Sequence, residues 1–330
     1  MNVRAVFSLL VACVAAAPAR AAQVARAAQG DEAPSYPYDV VAVDAIHGHL
    51  MEGGFKQPRG VAFDPVAGEL LVADSKNGLI GIFDPEGTPL YAFGRAALID
   101  PRSVRATPDG TIHVLDNDQS AVKTFSYRGE PRPPRSFPYP ALDEREAGRA
   151  RVGAFTIDAA GDWYVADVEL PQVLVYAPDG ALKRVIRPER RRASFELISG
   201  VAVSSEGRIA VIDQRATPVQ IFDAQGRFLI GFGSRGLGLE NFTALTAVAF
   251  DEDGFLYVVD MLRHDVKIFD GGGRLAGIFG GRFARESGGR RPGELLYPSD
   301  IAIAPGGAIY VAELFGNRVQ VFRRVPRRER

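Results

Sequence analysis

The chain is short of the residues on which several common protein chemistries depend. Its 330 residues include one cysteine, four histidines and one tryptophan. Because Cys13 lies in an N-terminal apolar segment, a chain cleaved after that segment has no thiol, which excludes disulfides and cysteine chemistry. No apolar run reaches the roughly 20 residues that a membrane-spanning helix needs. The formal net charge of −1 excludes a general attraction to nucleic acid or to an anionic membrane.

The N-terminal residues have the pattern of a bacterial export signal. A short apolar run is followed by Ala19-Arg20-Ala21, which matches an A-x-A cleavage site. We therefore expect a signal peptide over residues 1–22 and a disordered tether over residues 23–37. Cys13, in the run Leu-Val-Ala-Cys, also resembles the bacterial lipobox. The sequence leaves open whether the exported protein is periplasmic, extracellular or anchored to the outer membrane by a lipid on Cys13.

What the chain does contain is a repeat. Six short apolar runs each end in a carboxylate, and these acids recur every 42 to 53 residues. They are Asp74, Asp116, Asp167, Asp213, Asp260 and Glu313. A period of this length indicates one supersecondary unit repeated six times.

Each unit divides into four short β-type runs separated by glycine-containing turns, as at 60–64, 70–74, 79–84 and 88–94. The sixth unit has only three runs, and the N-terminal run at 38–48 has the pattern of the missing fourth. Closing a ring in this way removes exposed sheet edges. We predict an all-β fold: a six-bladed β-propeller of four-stranded antiparallel blades over residues 38–324, closed by an N-terminal strand that completes the last blade. A basic tail follows over residues 325–330.

The repeats resemble the NHL family. The resemblance is carried by Pro58-Arg59-Gly60 before the first strand, by the Val-Ala-Asp second strand, and by the third-strand run from Asn317 to Phe322. It covers roughly residues 40–324 and implies a six-bladed propeller; blades two and three match least. In blade two the expected fourth strand contains four prolines within 131–138, so we expect no regular ladder there.

The six acids invite interpretation as a cation site, but their register argues against it. Each lies at the same point of its own unit, so six-fold geometry spreads them around the ring. We interpret them as acceptors for backbone N–H groups of the adjacent loops.

The first strands alternate large and small side chains. We expect the large set to pack between blades and the small set to face the central channel. Arg105 and Asp300 break the small set, and a charge in a narrow channel needs a partner or water. They form either a structural ion pair or part of a site for an anion or another polar ligand.

The loops after the second strands and between the blades share one face of a propeller, which we call the loop face. On it we predict a binding surface for a protein or peptide, because apolar loops of blades five and six are rimmed by charge. The alternative is that these side chains fold back onto their own loops. The predicted residues are Arg59, Arg102, Arg215, Met261, Leu262, Arg263, His264, Leu314, Phe315 and Asn317.

The histidines do not indicate a metal centre. His47 and His49 have H-x-H spacing, but a zinc site needs three or four converging ligands. His113 occupies a slot that is mostly apolar or aromatic in the other units, which favours packing. We expect no metal and no cofactor.

Two functions remain open. The first is a non-catalytic, monomeric binding scaffold of the bacterial envelope or exterior; the export signal argues against the nucleic-acid partners of some intracellular NHL proteins. The alternative is a propeller enzyme, a lyase or lactonase-like hydrolase with its site at the channel mouth. Folds related to the resemblance include calcium-dependent lactonases, a zinc-dependent peptide-amidating lyase and streptogramin lyase, but their motifs do not transfer residue by residue.

Overall fold

The computed structural model describes residues 36–49, 53–117, 121–137, 151–188, 194–281 and 291–327. The predicted signal peptide, nearly all of the tether and the end of the basic tail lie outside these ranges. The described residues are all strands, turns and connecting segments, and none of them provides a helix that could cross a membrane.

Six four-stranded antiparallel sheets form the blades, as the repeat predicted. Blade one consists of Pro58–Asp64, Glu69–Asp74, Leu79–Phe83 and Pro89–Phe93, and blade two of Ser103–Ala106, Ile112–Leu115, Val122–Phe125 and Pro131–Arg135. Blade three consists of Val152–Ile157, Trp163–Asp167, Gln172–Tyr176 and Leu182–Ile186, and blade four of Ile198–Val203, Ile209–Asp213, Val219–Phe222 and Phe228–Phe232. Blade five consists of Leu245–Phe250, Leu256–Asp260, Asp265–Phe269 and Leu275–Gly280, and blade six of Pro298–Ile303, Ala308–Glu313, Arg318–Pro326 and Tyr38–Ile46.

Two pairs of two-residue strands lie outside the blades. Gly48–His49 pairs antiparallel with Gly53–Gly54 where the chain enters blade one. Ser234–Arg235 pairs parallel with Asn241–Phe242 between blades four and five.

The ring is closed by the strand Tyr38–Ile46, which confirms the prediction from the sequence. It pairs with the third strand of blade six from Tyr38 opposite Pro326 to Ile46 opposite Val319. The folded propeller extends beyond the predicted range of residues 38–324 at both ends. The last strand runs two residues past 324, and Tyr36, assigned to the tether, is buried with its hydroxyl bonded to that of Tyr257.

Apolar packing between blades holds the ring together. Six buried clusters occupy the six seams; one, for example, joins Leu71 and Ile80 of blade one to Val104 and Val114 of blade two. The second and third strands are buried on both faces, which is why they read as nearly continuous apolar runs.

One expectation about the first strands needs correction. Their small side chains also pack between blades: Ala62 lies in the seam with blade two, and Ala202 in the seam with blade five.

The proline-rich segment of blade two forms the fourth strand of its blade, and its ladder is irregular, as expected. It pairs with Val122–Phe125 through a shift in register, and an outermost strand tolerates the missing N–H donors.

Candidate functional site

The six repeated acids are buried acceptors for backbone N–H groups, as the sequence predicted. Asp213, with no exposed surface, accepts from Glu196 and Leu197 before its blade's first strand and from Arg215 and Ala216 after its second. The other blades repeat the contact to the preceding loop, with donors Lys56, Ile99, Arg151, Thr243 and Leu296. These carboxylates therefore fix the loops of the loop face in place.

Five of the six first strands begin with an irregularity that the repeat pattern did not reveal. In blades one and three to six the pairing with the second strand skips one residue, as between Pro58 and Gly60. Such a bulge turns the side chain of the skipped residue out of the ladder. We call the ring formed by these residues, together with Arg102 of blade two, the channel mouth. It consists of Arg59, Arg102, Gly153, Ser199, Thr246 and Ser299.

Small hydroxyl side chains at the channel mouth link neighbouring blades. Ser299 donates to the carbonyl oxygen of Pro58 at 3.1 Å, and Thr246 donates to that of Pro298 at 3.3 Å. At the next seam the side-chain amide of Gln214 donates both to the Ser199 hydroxyl and to the Leu245 carbonyl oxygen. In blades four to six the polar side chains of the mouth therefore serve the seams.

Blades one and two carry arginines at the same positions. The innermost strands touch here, since a β-carbon at Gly60 would lie 2.7 Å from the carbonyl oxygen of Arg102. The Arg102 guanidinium lies 3.5 Å from Asp100 and donates to the side-chain oxygen of Asn117. Burial lowers the pKa of the Arg59 guanidinium; the charge of Asp100 opposes this shift and that of Arg102 adds to it. The two arginines are therefore close neighbours in a partly desolvated place.

Arg105 of blade two and Asp300 of blade six meet beside the first strand of blade one, where both contact the backbone of Val61. Their closest charged atoms are 3.8 Å apart, and Asp300 accepts hydrogen bonds from the backbone N–H groups of Val61 and Ile301. Arg105 donates to the carbonyl oxygen of Val104 at 2.7 Å. Burial raises the pKa of Asp300, and the charge of Arg105 opposes that rise. The structure brings together the pair that the sequence singled out. Both side chains also form hydrogen bonds with backbone groups of the first strands.

Other predicted loop-face residues are engaged within the protein. Arg263 pairs with Asp265 and also donates to the carbonyl oxygen of Leu237, while Asn317 accepts from the N–H group of Gln57. His264 is 2% exposed and accepts from the N–H group of Tyr297. Arg215 is exposed, and its own N–H group donates to Asp213. For these contacts, folding back onto the loops is the better description.

The apolar patch of blades five and six is smaller than the sequence suggested. Leu314 is buried at 9% exposure, Met261 and Leu262 are half-buried, and Phe315 is 41% exposed with its ring edge-on to Tyr297. Short loops between tightly packed blades leave these side chains little freedom to reach solvent. Only Phe315 offers a large exposed apolar surface among the four.

A second apolar feature of this face was missed from the sequence. We call residues 236–240, between the two short parallel strands, the leucine loop; Leu237 is 74% exposed and Leu239 is 70% exposed. Two hydrogen bonds fix the backbone of this loop. The Asn241 side chain accepts from the Gly238 N–H group, and Arg263 donates to the Leu237 carbonyl oxygen. The signal in the sequence is the run Gly-Leu-Gly-Leu, whose leucines follow no strand alternation.

On the opposite face the channel widens into a cavity of about 610 Å³. Its walls include the lower ends of first strands, such as Phe63, Val203 and Phe250, and Arg105 also lines it. The volume is in the range of small-molecule sites.

The histidines do not converge. His49 is buried beside Phe55 and bonds to Asp74 at 3.0 Å, whereas His47 is exposed. His113 packs edge-on against Trp163, as expected of a packing residue. Within the described ranges, no three histidine, cysteine or acidic side chains lie together in a way that could hold a metal ion.

Comparisons with known proteins agree with this architecture. Residues 55–83, in blade one, match the NHL repeat family. No curated protein matches the chain in sequence. Among solved structures, a streptogramin B lyase is similar at 12% identity and a TM-score of 0.57, over 87% of this chain and 98% of that one. A gluconolactonase from Xanthomonas campestris is similar at 14% identity and a TM-score of 0.58, over 88% of this chain and 99% of that one.

Identities this low show a shared fold and nothing finer. The chain is a six-bladed β-propeller that carries an NHL repeat in its first blade.

Proposed function

We propose that the protein is a non-catalytic binding module that takes a protein or peptide partner on its loop face. The observation that carries this proposal is the leucine loop, which presents Leu237 and Leu239 at 74% and 70% exposure. Single exposed leucines are common on protein surfaces, but two in one short braced loop form a preorganised apolar contact. Burying each in an interface would contribute about 2 kcal/mol.

The rest of the face supports the same use. Ile99, in the loop between blades one and two, is 73% exposed, and Phe315 is 41% exposed. The N–H group of Ile99 donates to the buried carboxylate of Asp116. The loop of Phe315 is held by the N–H groups of Leu314 and Asn317, which donate to the carbonyl oxygens of Tyr297 and Glu313. Rigid loops lose little conformational freedom on binding, which favours their use as contact surfaces.

The export signal favours a partner in the bacterial envelope or outside the cell. Asp213 and Asp260 of the loop face support a non-catalytic role, since their carboxylates already accept hydrogen bonds from the backbone. The similarity to two enzymes is one of fold and does not bring their activities to this chain.

A capture experiment tests the proposal. The purified mature protein is immobilised and exposed to envelope extract, beside the double variant Leu237→Asp/Leu239→Asp. Leu229→Asp is the matched control, because Leu229 is 52% exposed on the outer strand of blade four, away from the loop face. We expect one stoichiometric partner on wild type and on the control, with at least about tenfold less on the double variant. Equal capture by all three proteins, or capture by none, would contradict the proposal.

A further inference from the structure

The channel mouth is asymmetric in charge. In blades four to six its side chains are small hydroxyls, and those of Thr246 and Ser299 bond to carbonyl groups across the seams. In blades one and two the same positions hold Arg59 and Arg102. At these two neighbouring positions the protein therefore has long cationic side chains where blades four to six have small polar ones.

Among the described residues, the cations at this place outnumber the anions paired with them. Lys76 lies 3.3 Å from Asp100, Arg102 lies 3.5 Å from the same carboxylate, and the charge of Asp100 also acts on Arg59. Asp116, another acid of the loop face, is already paired with Lys123 at 2.6 Å. Within the described part of the chain, three cations therefore share one carboxylate.

The arginines also have unused donors. The Nε groups of both Arg59 and Arg102 are buried and meet no hydrogen-bond acceptor among the described residues. A buried donor without an acceptor costs roughly 1–3 kcal/mol, so a rearrangement of either side chain that brings its Nε group to a bound carboxylate would recover this cost as well as the charge attraction. Both side chains remain partly exposed, so a ligand at the channel mouth can reach them.

We infer that Arg59 and Arg102 form a carboxylate-binding site at the channel mouth, which receives an acidic side chain or chain end of the partner. The identity of the occupant as part of a protein rests on the proposed function; the carboxylate chemistry does not. Guanidinium groups present pairs of N–H donors in a plane, which matches the two oxygens of a carboxylate. Asp100 already lies on one side of the cluster, 3.3 Å from Lys76 and 3.5 Å from Arg102.

The test follows the Nε–H resonances of the two arginines by NMR during titration with succinate, with a hexaglutamate peptide and with inorganic phosphate, at low ionic strength. We expect both carboxylate probes to shift the two resonances, and Arg59→Gln and Arg102→Gln each to weaken binding about tenfold. Arg128→Gln is the control for loss of one charge, since Arg128 is exposed on a turn of the opposite face. Its binding should stay as in wild type.

Three results would overturn the inference: no shift of either resonance, equal weakening in the Arg128 variant, or tighter binding of phosphate than of both carboxylate probes. Arg102→Lys keeps the charge and guards against misfolding as an explanation; it should still weaken succinate binding severalfold. The two proposals can fail separately. Suppose that the leucine-loop variant no longer captures the partner, while the arginine variants capture it as tightly as wild type. Then only the inference that Arg59 and Arg102 receive a carboxylate of the partner is wrong. If succinate binds but no partner depends on the leucine loop, only the proposed function is wrong.

Discussion

The guanidinium of Arg324 lies over the ring of Tyr38, with 4.7 Å between the guanidinium carbon and the ring centroid. This contact joins the last strand of the chain to the first. The same guanidinium donates to Asp251 at 2.9 Å and to Asp253 at 2.6 Å, both in blade five. One side chain thus ties together the chain end, the closing strand and a neighbouring blade.

Loss of Arg324 should weaken the closure of the ring. Arg324→Met leaves the carboxylate of Asp251 buried without its cation, and burial already raises the pKa of that group. We expect the free energy of unfolding to fall by about 3 kcal/mol in urea denaturation. Arg323→Met is the control, because the neighbouring Arg323 is exposed and should change stability by less than about 0.5 kcal/mol. Equal effects of the two substitutions would mean that Arg324 does not hold the ring.

Asp213, one of the repeated acids, should matter for stability and should not contact the partner. Asp213→Ala removes the acceptor of four backbone N–H groups, which should cost about 2–4 kcal/mol of unfolding free energy. Asp223→Ala, at a turn of the same blade where the carboxylate accepts from the N–H groups of Gln225 and Arg227, should cost less than Asp213→Ala, about 1 kcal/mol. Partner capture by the folded Asp213 variant should match wild type; a selective loss of capture would indicate that the acid contacts the ligand.

His113 should make stability depend on pH. Burial, reinforced by the charge of Arg135, lowers the pKa of His113 from 6.5 to about 4. Between these values the unfolded chain binds more protons than the folded one, so the stability contributed by neutral His113 is present above pH 6.5 and is lost as the pH falls toward 4.

The measurement is urea denaturation of wild type and His113→Gln at pH 7 and pH 5. The stability advantage of wild type over the variant should shrink by roughly 2 kcal/mol between the two pH values. Taking the difference between variants removes the opposite contribution of buried carboxylates such as Asp300, whose pKa is raised. An advantage that does not change with pH would show that His113 titrates normally in the folded protein.

The sequence predicts this fold well because the fold is periodic. Six copies of one pattern reinforce each other, and the lone fourth run at 38–48 indicates its own place in the ring. The structural role of the six acids followed from the same register. Arg105 and Asp300 were found because each breaks a repeated set of small residues.

What the sequence did not reveal depends on contacts between distant residues. The bulge that directs Arg59 to the channel mouth is a property of strand pairing, and no residue type marks it. Tyr36 is buried because Tyr257 is 221 residues away in sequence yet adjacent in space. The leucine loop breaks strand alternation in a stretch that has the composition of an ordinary connection, so its exposed leucines became visible only in the folded chain.

Site-specific photo-crosslinking from the leucine loop tests the central claim most directly. A photoreactive phenylalanine analogue replaces Leu239 in one protein and Leu229, on the outer strand, in another, and each is irradiated in cells that produce it. The account predicts one discrete protein adduct from position 239 and none from position 229. Adducts of equal yield from both positions, or none from position 239 in a protein that still binds its partner, would contradict binding through the loop face.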